Sequence, residues 1–157
     1  MQPVPGQPAQ LPAVSLRLGA GYQFAVDFGL PGVSQLGTDA TPPLGQGAGP
    51  DSEMLLMAAV ANCLCGSLAF ALRKFKNEEF GLEAKATCSL ARNDAGKLRM
   101  DGIHVEVQID AVASSLRLLE RALAQFEDFC VVTQSVRAAI PVTVLVRDRQ
   151  GTKLWPH

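Results

Sequence analysis

Apolar and polar residues alternate over two short stretches near the N-terminus, Ser15-Leu-Arg-Leu18 and Phe24-Ala-Val-Asp-Phe28, on either side of Gly19-Ala-Gly21, a pattern that predicts a short hairpin. Residues 31–50 carry Gly, Pro, Thr and Asp with almost no periodicity and read as a surface connection of functional length. Asp51-Ser-Glu53 then supplies capping residues ahead of an uncharged run from Met54 to Leu72, so a helix is expected to reach about Lys76. Beyond it, Leu82, Ala84, Ala86, Cys88 and Leu90 alternate with Glu83, Lys85, Thr87 and Ser89, the period of a half-buried strand. Asn93-Asp-Ala-Gly96 turns the chain into a second strand, with Ile103, Val105, Val107 and Ile109 on one face, antiparallel to the first. Leu116, Leu119, Leu123 and Phe126 fall on one side of an amphipathic helix over 114–127. Val142, Val144 and Val146 form a last strand before the turn Asp148-Arg-Gln-Gly151. Strands, helix, strands, helix, strand is an α+β order.

A chain of 157 residues can bury one sizeable core, so a single domain over 14–157 is expected behind a Pro-rich N-terminal arm, residues 1–13. With 14 basic against 15 acidic residues and no basic stripe interleaved with aromatics, nucleic acid is excluded as a partner. No Lys or Arg precedes Arg17, so the start lacks the charged region of an export signal. The run 54–72 approaches membrane-spanning length, but Asn62, Gly66, Ser67 and its alanines dilute it; the expectation is a buried helix in a soluble, cytoplasmic protein and no membrane.

In a reducing cytoplasm, disulfides are catalytic or transient, which directs attention to Cys63 and Cys130, 67 positions apart. Cys65 points about 200° away from Cys63 around a helix, and Cys88 lies on the apolar face of a strand, so both read as core packing. His104 and His157 have no spaced partners for a metal.

Two segments carry a resemblance. Gly49-Pro-Asp-Ser-Glu-Met-Leu-Leu-Met-Ala-Ala-Val-Ala-Asn-Cys63 resembles the motif opening the central helix of the OsmC/Ohr family, in which a Gly-x-x-Pro-Glu-x-Leu-like start leads to the peroxidatic cysteine. Cys130-Val-Val-Thr-Gln-Ser-Val-Arg-Ala-Ala-Ile140 is similar to that family's second motif, a cysteine with Ser or Thr three residues later and then an Arg. Ser52 stands where the first motif usually has Pro, and Asn62 replaces a small residue. The resemblance covers the chain from about Val14 to Val146.

The resemblance implies an OsmC-like fold, with curved antiparallel sheets around a long central apolar helix, in an intertwined homodimer. It also implies thiol-dependent reduction of organic hydroperoxides: Cys63 attacks, Cys130 resolves the sulfenic acid as a Cys63–Cys130 disulfide, and Glu53 is the motif glutamate. The chain holds no cofactor motif, so an external dithiol or lipoyl-type reductant would regenerate the thiols. The nucleophile is a thiolate, and a cysteine with a pKa near ~8.5 needs a nearby cation to ionise at neutral pH. In the family an Arg of the first hairpin, held by the Glu, supplies it. Here Gly21-Tyr-Gln23 occupies that place, and Arg17 and Arg137 are the candidates. Glu53 precedes Cys63 by ten residues, ~15 Å of helix, so either the first turn bends away or the Glu of one subunit serves the cysteine of the other. An alternative within the same fold is a non-catalytic member that holds a small apolar ligand in the 31–50 loop and dimer cleft.

Overall fold

The computed structural model describes residues 12–156; most of the Pro-rich arm, and His157, lie outside them. The chain divides into two compact units at Met54/Leu55.

The first unit is a three-stranded antiparallel sheet in the order β1 (Ser15–Leu18), β2 (Phe24–Asp27), β3 (Leu36–Thr38). The expected hairpin is present, with Leu18 opposite Phe24 and Gly21 at φ 59° in its turn. The connection 31–50 is not wholly irregular. Leu36–Thr38 pairs with β2, and Asp39, 3% exposed, organises the turns between Ala40 and Ala48. Its carboxylate accepts the backbone N–H of Ala40 (2.8 Å), Gln46 (2.9 Å) and Ala48 (3.1 Å). The loop closes so tightly that a Cβ at Gly45 would run into the Ala40 carbonyl and the Asp39 carboxylate. Hydrogen bonds from Ala48 and Gln46 hold Asp39 below its ordinary pKa, burial opposing them.

Helix α1 (Ser52–Lys74) begins as its capping residues suggest: Asp51 Oδ1 accepts the Met54 N–H at 2.8 Å, satisfying one of the open donors of the first turn. Its end is less ordinary. Lys76 sits at φ 64°, the Lys76 N–H reaches Arg73 O (2.9 Å), and the Asn77 N–H reaches Leu72 O (3.2 Å), a Schellman ending with lysine where glycine is usual. Lys76→Gly is therefore expected to raise stability by about 0.5–1 kcal/mol, the left-handed penalty relieved less the added freedom of the unfolded chain. Urea unfolding that shows no gain, or a loss, would contradict this.

The second unit is built on a four-stranded sheet in the order β4 (Leu82–Arg92), β5 (Leu98–Ile109), β6 (Val142–Arg147), β7 (Lys153–Trp155). β4 and β5 are antiparallel as expected, whereas β5 and β6 run parallel, which requires the long crossover 110–141. Ile103, Val105, Val107 and Ile109 of β5, with Val142, Val144 and Val146 of β6, make one buried face. Against it lie Val60, Leu64, Leu68, Ala71 and Leu72 of α1, each 0% exposed, so the apolar run serves as a core helix.

The crossover is where the expected helix over 114–127 is interrupted. It contains a 3₁₀ turn at Ala113–Ser115, α2 (Leu119–Leu123), a second 3₁₀ turn at Phe126–Phe129 and α3 (Val131–Val136). Its first break has a tertiary cause. Buried Asn77 clips the chain at Arg117, accepting its N–H (2.8 Å) and donating to its carbonyl (3.0 Å), and Leu118 then takes φ 49° before α2 starts. At the far end, buried Asp148 accepts the N–H groups of Gln150 and Thr152 (2.9 Å each) and of Ala113 (3.3 Å), tying the last turn to the start of the crossover. β7 comes next, so the strand through Val142, Val144 and Val146, which the sequence predicts to be the last, is followed by another.

Candidate functional site: a buried thiol pair

Cys63 lies on α1, three residues after Val60 and one before Leu64, so it borders the face that packs into the core and is half-buried. Cys130 is the residue immediately before α3 and is 0% exposed. It stands just ahead of that short helix, three residues past the amphipathic helix expected over 114–127. The fold closes the 67-residue gap: the Cys63 thiol lies near enough to Cys130 to perturb its ionisation. Cys130 Sγ also donates to Thr133 Oγ1 at 2.8 Å, and Thr133 is itself 0% exposed. The backbone around Cys130 is satisfied, its N–H by Glu127 O (3.1 Å) and its carbonyl by the Gln134 N–H (2.9 Å).

The two sulfurs differ in environment. Burial pushes the Cys130 thiol above its ordinary value of 9.0, and the contact with Cys63 pushes it further; the Thr133 hydroxyl and amide pull part of the way back. Cys130 is thus the member of the pair held as a thiol, and Cys63 the member that a molecule arriving from solvent can meet. Burial raises Cys65 as well. Cys65 and Cys88 are half-buried against the core, as packing alone requires.

Arg137 is placed by a contact that the sequence does not signal. Its Nη2 binds Glu127 Oε2 and reaches Val142 O at 3.4 Å, while Glu127 Oε1 accepts the Trp155 indole N–H at 2.7 Å. Glu127 lies three residues before Cys130, so the ion pair and the indole fix the turn that carries the thiol. Nothing local marks Glu127 for this role, because its partners lie 10 and 28 positions away on other elements. Arg17 is exposed on β1 of the first unit and lines a cavity of about 300 Å³ with Gln23, Phe24 and Thr38. Glu53 is exposed in the first turn of α1. Of the residues singled out from the sequence, Cys63 and Cys130 are brought together. Phe129, next to Cys130 in the chain, is 44% exposed and set edge-on to Phe70, with ring centroids 5.4 Å apart.

Fold and site together define an α+β protein with a central apolar helix and a pair of neighbouring cysteines, one accessible and one buried. The chain belongs to the OsmC-like protein family, whose match spans residues 45–145. Solved structures share the fold. The organic hydroperoxide resistance protein OhrB of Bacillus subtilis superposes with a TM-score of 0.63 at 21% identity, over 86% of this chain and 96% of that one. An organic hydroperoxide resistance protein OsmC from Legionella pneumophila gives 0.69 at 16% identity, over 89% and 98%. An OsmC-like protein from Mycoplasma pneumoniae gives 0.72 at 13% identity, over 88% and 97%. No curated protein sequence matches the chain.

Proposed function

We propose that this protein is a thiol-dependent peroxidase that reduces organic hydroperoxides. The Cys63 thiolate attacks the terminal peroxide oxygen; the O–O bond breaks, a proton goes to the departing alkoxide, and an alcohol leaves Cys63 as sulfenic acid. The Cys130 sulfur then displaces that hydroxyl as water, forming a Cys63–Cys130 disulfide before over-oxidation can occur. An external dithiol of lipoyl type returns two electrons and two protons, and no cofactor is held. The observation that carries this reading is the proximity of the two thiols, with the half-buried one suited to attack and the buried one kept in reserve beside Thr133. Leu56, Met57, Val60 and Leu64, which belong with Cys63 to one apolar cluster, favour an alkyl or aryl hydroperoxide over hydrogen peroxide.

The working unit in this reading is a cytoplasmic homodimer, in which Glu53 of one subunit orients a cation for the other's Cys63. Arg17, exposed on β1, is the candidate for that cation; Arg137 contributes by holding the Cys130 turn through Glu127. Exposed Leu16 (62%) and Leu18 (60%) on β1 give the dimer an apolar surface to cover.

Mass spectrometry of the reduced protein after one equivalent of cumene hydroperoxide is the direct test. The expected product is an intramolecular Cys63–Cys130 disulfide, and in Cys130→Ser a sulfenic acid on Cys63 that dimedone captures. Free thiols at both positions after complete mixing would instead favour a member of this fold that only binds ligands.

A further inference from the structure

The stripe Leu116, Leu119, Leu123 and Phe126 does not go wholly into the core. Leu123 and Phe126 are buried, but Leu116 and Leu119 are half-buried and, with Leu123 and with Leu154 of β7, line a cavity of about 550 Å³. That volume is in the range of small-molecule sites. Neither Cys63 nor Cys130 is part of its wall.

Two cations share the wall with these leucines. Arg121 and Lys153 are both exposed, and neither side chain forms an ion pair or a hydrogen bond among the described residues. Glu120 is the one acid present, leaving the lining with a net charge of +1. At the lip, Leu118 is 53% exposed and held at φ 49°. A bulky side chain rarely adopts that conformation, and strain of this kind collects at ligand clamps where the surrounding structure enforces it.

We propose that this cavity binds an amphipathic carboxylate, its aliphatic tail against Leu116, Leu119, Leu123 and Leu154 and its head at Arg121 and Lys153. A neutral hydrocarbon would leave the cations unused, and a small inorganic anion would leave Leu116, Leu118 and Leu119 in contact with water. The site is separate from the thiol pair and does not depend on the reaction proposed there.

Calorimetric titration of the reduced full chain with decanoate tests it. The expected result is one decanoate per chain, with octanoate about tenfold weaker because two methylenes leave apolar contact. The double variant Arg121→Gln/Lys153→Gln is expected to weaken decanoate about fivefold, in keeping with partly exposed ion pairs. Ser114→Trp, at an exposed position of the wall, fills the mouth and should abolish binding, its fold checked by circular dichroism. Cys63→Ser/Cys130→Ser is expected to bind decanoate like the parent. Absence of binding at millimolar decanoate overturns the proposal. So does binding indifferent either to Ser114→Trp or to removal of the two cations.

Discussion

Cys63→Ser is expected to lower the steady-state rate of cumene hydroperoxide reduction by about 10³-fold or more, the largest effect any single substitution should have on the proposed activity. A serine hydroxyl is essentially un-ionised at neutral pH and is a poor nucleophile toward a peroxide bond, so nothing else at position 63 can replace the thiolate. The site offers no substitute sulfur. Cys130 is 0% exposed and burial holds its thiol above the ordinary pKa, so it has neither the access nor the charge to attack in place of Cys63. Cys130→Ser is expected to differ in kind. One turnover should survive and leave the sulfenic acid, while sustained turnover fails because no disulfide forms for the reductant to open. Comparing single-turnover with multiple-turnover rates separates the two variants, and folding is checked by their circular dichroism. A Cys63→Ser protein that consumes hydroperoxide at the parent rate would remove Cys63 from the mechanism.

The pairing on which that prediction rests is legible in the sequence only by resemblance. Periodicity places Cys63 on an apolar helix and says nothing about a thiol 67 positions later, because contact order of that length leaves no local trace. The strands with one buried face are plainly readable: Val105 and Val107 alternate with Glu106 and Gln108 because a single face of β5 meets the core. α1 is readable for a similar reason, an uncharged run opened by a side chain that caps it. Short elements are not. Leu36–Thr38 and Lys153–Trp155 are three residues each, too brief to set up a period, and are strands because a neighbour pairs with them. The interrupted helix is a different failure. Spacings of three and four satisfy a helical template over 116–126, yet Asn77, 40 residues earlier, claims the backbone at Arg117. The same long reach hides Glu127. A half-buried carboxylate shared by Arg137 and Trp155 looks, in sequence, like one more charge on a solvated helix face.

Phe126→Ala is expected to cost about 3–5 kcal/mol, the largest stability effect expected of any single side-chain truncation. Phe126 is the largest fully buried side chain among the described residues, and its ring meets Trp155 edge-on with centroids 6.2 Å apart. Truncation would remove that contact and leave a void among neighbours anchored to the sheet, which can collapse only in part. For a chain of this length the loss corresponds to a fall in Tm of roughly 10 °C, read at one fixed protein concentration because association would add to the apparent stability. Phe126→Leu, which keeps most of the volume, should cost no more than about 1.5 kcal/mol. The effect should also reach the thiols. Phe126 begins the 3₁₀ turn Phe126–Phe129 that delivers Cys130, and its neighbour Glu127 accepts the Trp155 indole N–H. With the ring gone, that turn should open more often, and iodoacetamide should label Cys130 faster in Phe126→Ala than in the parent under native conditions. Equal labelling together with a stability loss under about 1 kcal/mol would show that the turn is held by the Glu127–Arg137 pair alone and that the ring contributes little.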